Sequence, residues 1–273
     1  MQKPSLGFDF LQRFSGEDRD FGALAIQARL AFNATGDQGV EPQLYNAYFK
    51  YKATLADVWA GHSRPALGLS SYFDSHGLLL PTLAMEGFGF DRDWGVGAYR
   101  DLSWGNVAIS ATTGSGMPIY FKGNYLLSAR ASKGILNQDN YNLGVSAAYG
   151  KVLDTMGYHL ADPDPFELIL GGADFTYLWQ NLENRLEVYA GKKMGEETYA
   201  LFWRAGINLL EEGRLKVEFQ PAYWKVGKDW TYQLSGGISY QATADLALRA
   251  MYQYDHASND QRLIFQIYYY KGL

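Results

Sequence analysis

The amino-acid sequence predicts an all-β fold: a transmembrane, antiparallel, up-and-down β-barrel of about fourteen strands, with sixteen as the alternative. Three observations carry this. Apolar and polar residues alternate with period two in one segment after another. The segments run to roughly nine residues or more, longer than the ~5–6 usual for soluble strands and suited to a tilted membrane strand. The chain of 273 residues holds 21 Tyr, 15 Phe and 7 Trp. Many of these stand at the ends of the apolar faces, where Tyr and Trp favour a boundary between oil and water.

Residues 1–20 are expected to form an N-terminal periplasmic arm or a partial strand; residues 5–13 could be another strand, but fifteen would break the even count usual for bacterial barrels. Residues 21–273 carry the barrel. The first strand, near 21–33, sets Leu24, Ile26, Ala28, Leu30 and Phe32 against Gln27 and Arg29. Strands follow near 43–53, 56–64, 93–101, 104–113 and 123–133. The next, 139–151, places Tyr141, Leu143, Val145, Ala147 and Tyr149 on one face and Gly, Asn and Ser on much of the other. Strands near 166–179, 184–192, 197–209 and 213–225 lead to 229–241. There Trp230, Tyr232, Leu234, Ile238 and Tyr240 oppose Thr231, Gln233, Ser235, Ser239 and Gln241. Trp230 and Tyr240 lie about 25 Å apart along the membrane normal, the height of an apolar membrane band. Strands near 244–256 and 261–271 complete the set.

Connections alternate between short turns, such as Leu102–Ser103 and Ala242–Thr243, and longer ones, such as Val152–Pro165 and 65–92. Short periplasmic turns and longer outer loops are the pattern of an outer-membrane barrel. Fourteen strands keep the long connections on one side, and sixteen would need another strand within 65–92. Pro221 falls inside a strand and predicts a bulge. A soluble β-sandwich would give similar alternation. Strand length, the Gly- and Ser-rich polar face and the terminal aromatics weigh against it.

Composition excludes other classes. No Cys is present, and 24 basic against 29 acidic residues give a net charge of −5, without the basic excess of a nucleic-acid partner. Mean hydropathy is −0.25, and no apolar run reaches the ~20 residues of a spanning helix. Met1–Asp20 shows no secretory signal, which is expected of a mature chain or an incomplete N-terminus.

One stretch has a family likeness. Gly61-His62-Ser63-Arg64-Pro65-Ala66-Leu67-Gly68-Leu69 resembles a turn of phosphate-selective-type and related outer-membrane porins. Arg92-Asp93-Trp94-Gly95, Thr113-Gly114 and the strand Tyr45–Tyr51 also resemble elements of that family. The match covers roughly residues 21–115. Pro65 is one place early, and Ala66 stands where the family usually has Pro. The resemblance implies a porin barrel in the bacterial outer membrane. It does not extend to phosphate selectivity, because the phosphate ligands of that family cannot be placed here.

The four His residues, His62, His76, His159 and His256, lack helical metal-ligand spacing and are read as solvated or interfacial. No metal or cofactor is expected. Asp255–His256 and His159 with Asp162 are the nearest approach to catalytic pairs, and an enzyme is the least favoured class. The lumen is where function would reside. Arg29, Lys50, Lys52, Arg130, Arg185, Arg204, Arg214, Lys216 and Arg249 are read as facing it, with Asp174, Glu187, Glu218 and Asp255 opposing them. Basic residues lead roughly two to one on this face, and charges lining a bore set its selectivity. The long connection holds Pro65, Leu78, Leu79, Leu80 and Pro81, too apolar for a free loop, and is expected to narrow the lumen; an outer hairpin is the alternative. The leading expectation is passive diffusion of small polar solutes with weak anion preference. A plugged structural or partner-binding barrel is the second. Expected partners are outer-membrane lipid and small polar or anionic solutes; a homo-oligomer is open.

Overall fold

A computed structural model describes residues 4–17, 19–32, 39–73 and 80–272. It contains one antiparallel sheet of fifteen strands in which each strand pairs with its sequence neighbours. The strands are β1 (Ser5–Ser15), β2 (Asp20–Phe32), β3 (Val40–Lys52), β4 (Asp57–Ser63) and β5 (Asp93–Leu102). There follow β6 (Gly105–Thr112), β7 (Tyr125–Lys133), β8 (Tyr141–Met156), β9 (His159–Trp179) and β10 (Leu182–Lys193). The last are β11 (Glu196–Leu209), β12 (Leu215–Val226), β13 (Asp229–Gln241), β14 (Leu246–Asp255) and β15 (Asp260–Tyr269).

The count therefore differs from both fourteen and sixteen. The added strand is β1, which pairs with β2 from Ser5↔Ala31 to Ser15↔Asp20. Its outer face, Leu6, Phe8 and Phe10, is apolar and exposed. An even strand count is the ground for setting residues 5–13 aside, and the pairing with β2 overrules it. The segment 65–92 contributes no strand among its described residues, only two short 3-10 turns, Leu69–Ser71 and Leu83–Glu86.

The sheet is turned inside out relative to a soluble protein. Ile109, Val145, Phe219, Leu234, Ile238 and Phe265 are exposed. Asp174, Thr176, Arg204, Gln220, Gln233 and Ser235 are buried. A hydrocarbon surround makes this polarity favourable, and water would make it untenable. Exposed aromatics mark two belts: Tyr51, Trp104, Tyr177 and Trp179 near the short turns, and Tyr125, Tyr149, Tyr199 and Trp230 near the other end.

Contacts across the ring close the architecture. The segment between β4 and β5 touches β6, β7 and the strands from β9 to β13. A flat sheet could not bring those strands to one loop. The edge strands β1 and β15 run in the same direction. They face one another across a slot of about 320 Å³ bordered by Ser5, Gly7 and Ile264–Tyr270.

Two local readings change. Val152–Pro165, expected as a loop, is mostly strand: β8 and β9 continue outward to a turn at Gly157–Tyr158. Pro163 and Pro165 fit because the pairing with β8 skips between Asp162 and Phe166, so no ladder hydrogen bond is lost there. Pro221 causes no bulge. It pairs with Leu234 in an unshifted register, and the ladder toward β11 simply lapses between Phe202↔Ala222 and Ala205↔Phe219.

Ile238→Lys on the outer face is predicted to lower the unfolding free energy in lipid by about 2–4 kcal/mol. Ser239→Lys on the inner face is predicted to fold with near-native stability. Urea unfolding in liposomes distinguishes the two; equal costs would contradict the assigned polarity.

Candidate functional site: the bore and its inserted loop

Residues 64–73 and 80–92 are seated against the inner wall. The first half begins at the glycine-rich turn. Gly61 has φ +123, and a Cβ there would stand 2.2 Å from the Ala47 carbonyl oxygen of the adjacent strand. Gly68 has φ +47, and its Cβ would fall 2.0 Å from both Glu187 Oε1 and the Tyr189 hydroxyl. Only glycine permits this approach. It lets the Leu69 amide donate to Glu187 Oε1 at 2.7 Å, beside a 2.8 Å bond from the Tyr189 hydroxyl. The Ala66 amide donates to Ser110 Oγ at 3.0 Å.

Two aromatic residues extend the seat. The Tyr72 hydroxyl donates to Asp174 Oδ1 at 3.1 Å and lies 2.8 Å from Thr176 Oγ1. The Arg130 guanidinium lies 4.5 Å from the Tyr72 ring centre and bonds both Asp174 oxygens, at 2.9 and 2.6 Å. Burial and the neighbouring Asp174 carboxylate push the Tyr72 hydroxyl upward from its ordinary pKa. Arg185 stacks on Phe73 at 4.0 Å, with Arg204 on the same ring at 5.6 Å.

The second half returns along the opposite wall. Gln220 Nε2 donates to the Pro81 carbonyl at 2.5 Å, and Gln233 Nε2 donates to Glu86 Oε1 at 3.2 Å. Leu67, Leu69, Leu83 and Phe88 are buried against Leu126, Leu168, Leu170 and Phe202 of the wall. Burial, aided by the nearby Asp255 carboxylate, holds the Glu86 carboxyl above its ordinary pKa despite the Gln233 hydrogen bond.

The loop ends in a buried polar knot. Arg92 is 1 % exposed and donates to Asn46 Oδ1 at 3.0 Å and to Asp91 Oδ2 at 2.7 Å. Asp93 is fully buried and accepts from the amides of Gly114, Ser115 and Gly116 and from the Thr113 hydroxyl. The Arg-Asp-Trp-Gly and Thr-Gly elements are thus two halves of one clasp. His62, read from sequence as solvated or interfacial, is instead fully buried, its ring 4.9 Å from that of Trp94. The β4 strand ends where the loop dives inward, which carries His62 inside. His256 packs on both Trp230 and Tyr232, at 4.8 and 4.7 Å, whereas His159 is exposed. His76 lies outside the described residues, as do Leu78 and Leu79.

The remaining sequence-selected residues separate into groups. Arg130, Asp174, Glu187, Arg204 and Glu218 are buried, and Pro65, Leu80 and Pro81 belong to the seated loop. Arg204 bonds Glu218 at 2.6 Å, and Lys216 contacts Glu218 at 3.0 Å and Glu183 at 2.8 Å. Arg185 pairs with Glu183. Arg249 bonds Gln266 at 3.2 Å and lies over the Tyr268 ring. Arg29 reaches Gln43 and Tyr45, and Lys50 reaches the Tyr99 hydroxyl at 2.8 Å. Lys52 approaches Asp20 at 4.0 Å near the short turns. Arg214 lies just before β12 and is exposed, and it borders an inner cavity together with Lys216 and Glu218. It binds the carbonyls of Gln241 and Ala242 at the short-turn rim. Sequence reading missed Tyr72, Phe73 and Glu86. They lie in a loop without periodicity, so no pattern marked them.

A second contact crosses the outer mouth. The Tyr158 hydroxyl, at the tip of the β8–β9 hairpin, donates to the Leu44 carbonyl of β3 at 2.8 Å and accepts from the Leu44 amide. Burial pushes this phenol up to about 12.

No family model and no curated protein matches the chain. Solved structures do. The anion-selective porin from Comamonas acidovorans gives a TM-score of 0.67 at 9 % identity, covering 93 % of this chain and 80 % of that one. OmpF of Salmonella typhi, in complex with daunomycin, gives 0.66 at 11 % identity, covering 97 % and 96 %. A loop-deletion mutant of OmpT, an outer membrane protein of Vibrio cholerae, gives 0.64 at 13 %, covering 97 % and 90 %. The chain therefore has the fold of bacterial outer-membrane porin barrels.

Two predictions test the seat. Gly68→Ala should unseat the loop and raise single-channel conductance severalfold in planar bilayers. Glu86→Gln keeps an acceptor for Gln233 and removes a carboxylate that burial disfavours. Because the folded-state pKa is raised, the charge costs stability once pH rises above the ordinary Glu value of about 4.3. The variant should therefore melt above wild type at pH 7 and match it at pH 3, by thermal scans in detergent.

Proposed function

We propose that the chain resides in a bacterial outer membrane and lets small polar solutes diffuse through, with a weak preference for anions. The observation that supports this most directly is a cavity of about 250 Å³ between Leu80 of the seated loop and β11–β14. Arg204, Arg214, Lys216 and Arg249 border it, against Glu218. Ion pairing satisfies the one carboxylate and leaves a net positive lining, which draws anions and slows cations. The short turns would face the periplasm and the long connections the outside. Phosphate selectivity is no part of the reading.

A second reading has its own support. The buried apolar contacts of Leu67, Leu69, Leu83 and Phe88 fill the centre of the barrel. They favour a plugged structural or partner-binding barrel if the remaining gap is too narrow to conduct. Outer-membrane lipid is the surround in both readings, and self-association through the lipid face is compatible with either.

Planar bilayers under a potassium chloride gradient separate them. The diffusion reading expects open-channel conductance with a reversal potential on the chloride side. Lys216→Glu with Arg249→Glu should move it to the potassium side. Silent bilayers would support the plugged barrel, and cation preference in the wild type would overturn the charge argument.

A further inference from the structure

At one place in the wall two strands stand side by side unpaired. Every join in the sheet is antiparallel. β1 and β15, which run in the same direction, border a common slot, and among the described residues no ladder joins them.

The backbone groups open to that slot can be named. The Phe32 amide donates to the Pro4 carbonyl, and this pair continues the register of Ser5↔Ala31. Bonded and non-bonded pairs alternate along an antiparallel ladder. The even-numbered residues of β1 therefore bond β2, and Ser5, Gly7, Asp9, Leu11 and Arg13 turn their N–H and C=O groups to the slot. The bond from the Tyr270 amide to the Asp245 carbonyl fixes β15 in the same way. There Gln261, Leu263, Phe265, Ile267 and Tyr269 present theirs. Hydrocarbon satisfies none of these groups. The side chains also lack a neighbour on one flank. Leu6, Phe265 and Ile267 are 72, 74 and 77 % exposed, whereas Phe219 and Ile238, on strands paired at both edges, are 49 and 51 %.

One strand would meet both edges. The open groups of β1 belong to inner-face residues, and those of β15 to outer-face residues. A strand bonds one neighbour through the residues of one face and the other neighbour through those of the other face. Running against both β1 and β15, it would keep every join antiparallel and make the count even. The open stretches, Ser5–Arg13 and Gln261–Tyr269, each match the ~9–11 residues of a membrane strand. Charge adds a preference. The Asp9 carboxylate, midway along the β1 stretch, borders the slot and forms no ion pair with a described residue. Arg29, which also borders it, is engaged by Gln43 and Tyr45 of β3.

We propose that the slot is a docking site for one β-strand of a partner polypeptide. The strand has about ten residues, is apolar at alternate positions and carries a basic residue at the inward position beside Asp9. Its N-terminus lies at the short-turn end and its C-terminus at the outer mouth. The site rests on the membrane polarity of the sheet and is independent of conductance.

The test uses the full chain folded in detergent. The probe is a dye-labelled synthetic peptide of about ten residues that alternates Leu with Thr and carries Lys at the central Thr position. Fluorescence anisotropy is expected to show saturable binding of one peptide per barrel, with hydrogen exchange slowed at both β1 and β15. A peptide with Glu in place of that Lys should bind about tenfold more weakly. Asp9→Lys should reverse the preference, and Asp9→Asn should abolish it; heat-modifiable gel mobility verifies that each variant is folded. No saturable binding, protection of one edge alone, or equal affinity for the two peptides would overturn the proposal. The chain has no Cys, so Phe8→Cys combined with Phe265→Cys or Ile267→Cys reads the width of the slot. A disulfide needs Cα atoms within about 7 Å, less than the ~9.6 Å of two strand spacings. Complete disulfide formation without peptide would show β1 joined directly to β15, and a dimeric mass by light scattering would show a second copy in the slot. Either result would overturn the proposal as well.

Discussion

A sheet that turns its oily side chains outward must find partners for every charge it turns inward. Inside the barrel the dielectric is low, and an unpaired ion there costs several kcal/mol. The pairing of Arg130 with Asp174, and of Arg204 and Lys216 with Glu218, meets this demand within the wall. What the wall leaves over, the loop supplies: the Tyr72 hydroxyl to Asp174, the Leu69 amide to Glu187, and ring faces to Arg130 and Arg185. The inserted segment is therefore held by the same electrostatic requirement that the inverted sheet creates.

The seat divides the bore. On one side cations outnumber their partners; on the other, Arg130 is held by both oxygens of Asp174. A single loop thus produces two environments from one ring of strands, because the loop consumes the charges beneath it and spares those beside it. The clasp of Asp93 around the Gly114–Gly116 amides fixes where the loop leaves the wall, and so fixes the partition between them.

Much of the barrel was legible in the sequence. The faces of β2, β8 and β13 follow directly from alternation, since the side-chain period of a strand is two whatever its neighbours are. The failures are equally physical. β1 is set aside by the expectation of an even strand count, and only its pairing with β2 decides it. In Val152–Pro165, prolines signalled a loop, but the strands had already left the bilayer, where a skipped ladder bond costs little. The inward residues could be chosen from sequence, but their partners could not. Arg130 meets Asp174 from two strands away, and Gln220 meets Pro81 across 139 positions.

By itself the sequence determined which side of each strand faces oil, because that choice is local and repeats every second residue. The tertiary structure alone decided how many strands the ring holds, which inward charges neutralise one another, and that residues 64–73 and 80–92 pack against the inner wall. Those outcomes depend on register, stagger and curvature, which bring together residues that no linear spacing relates.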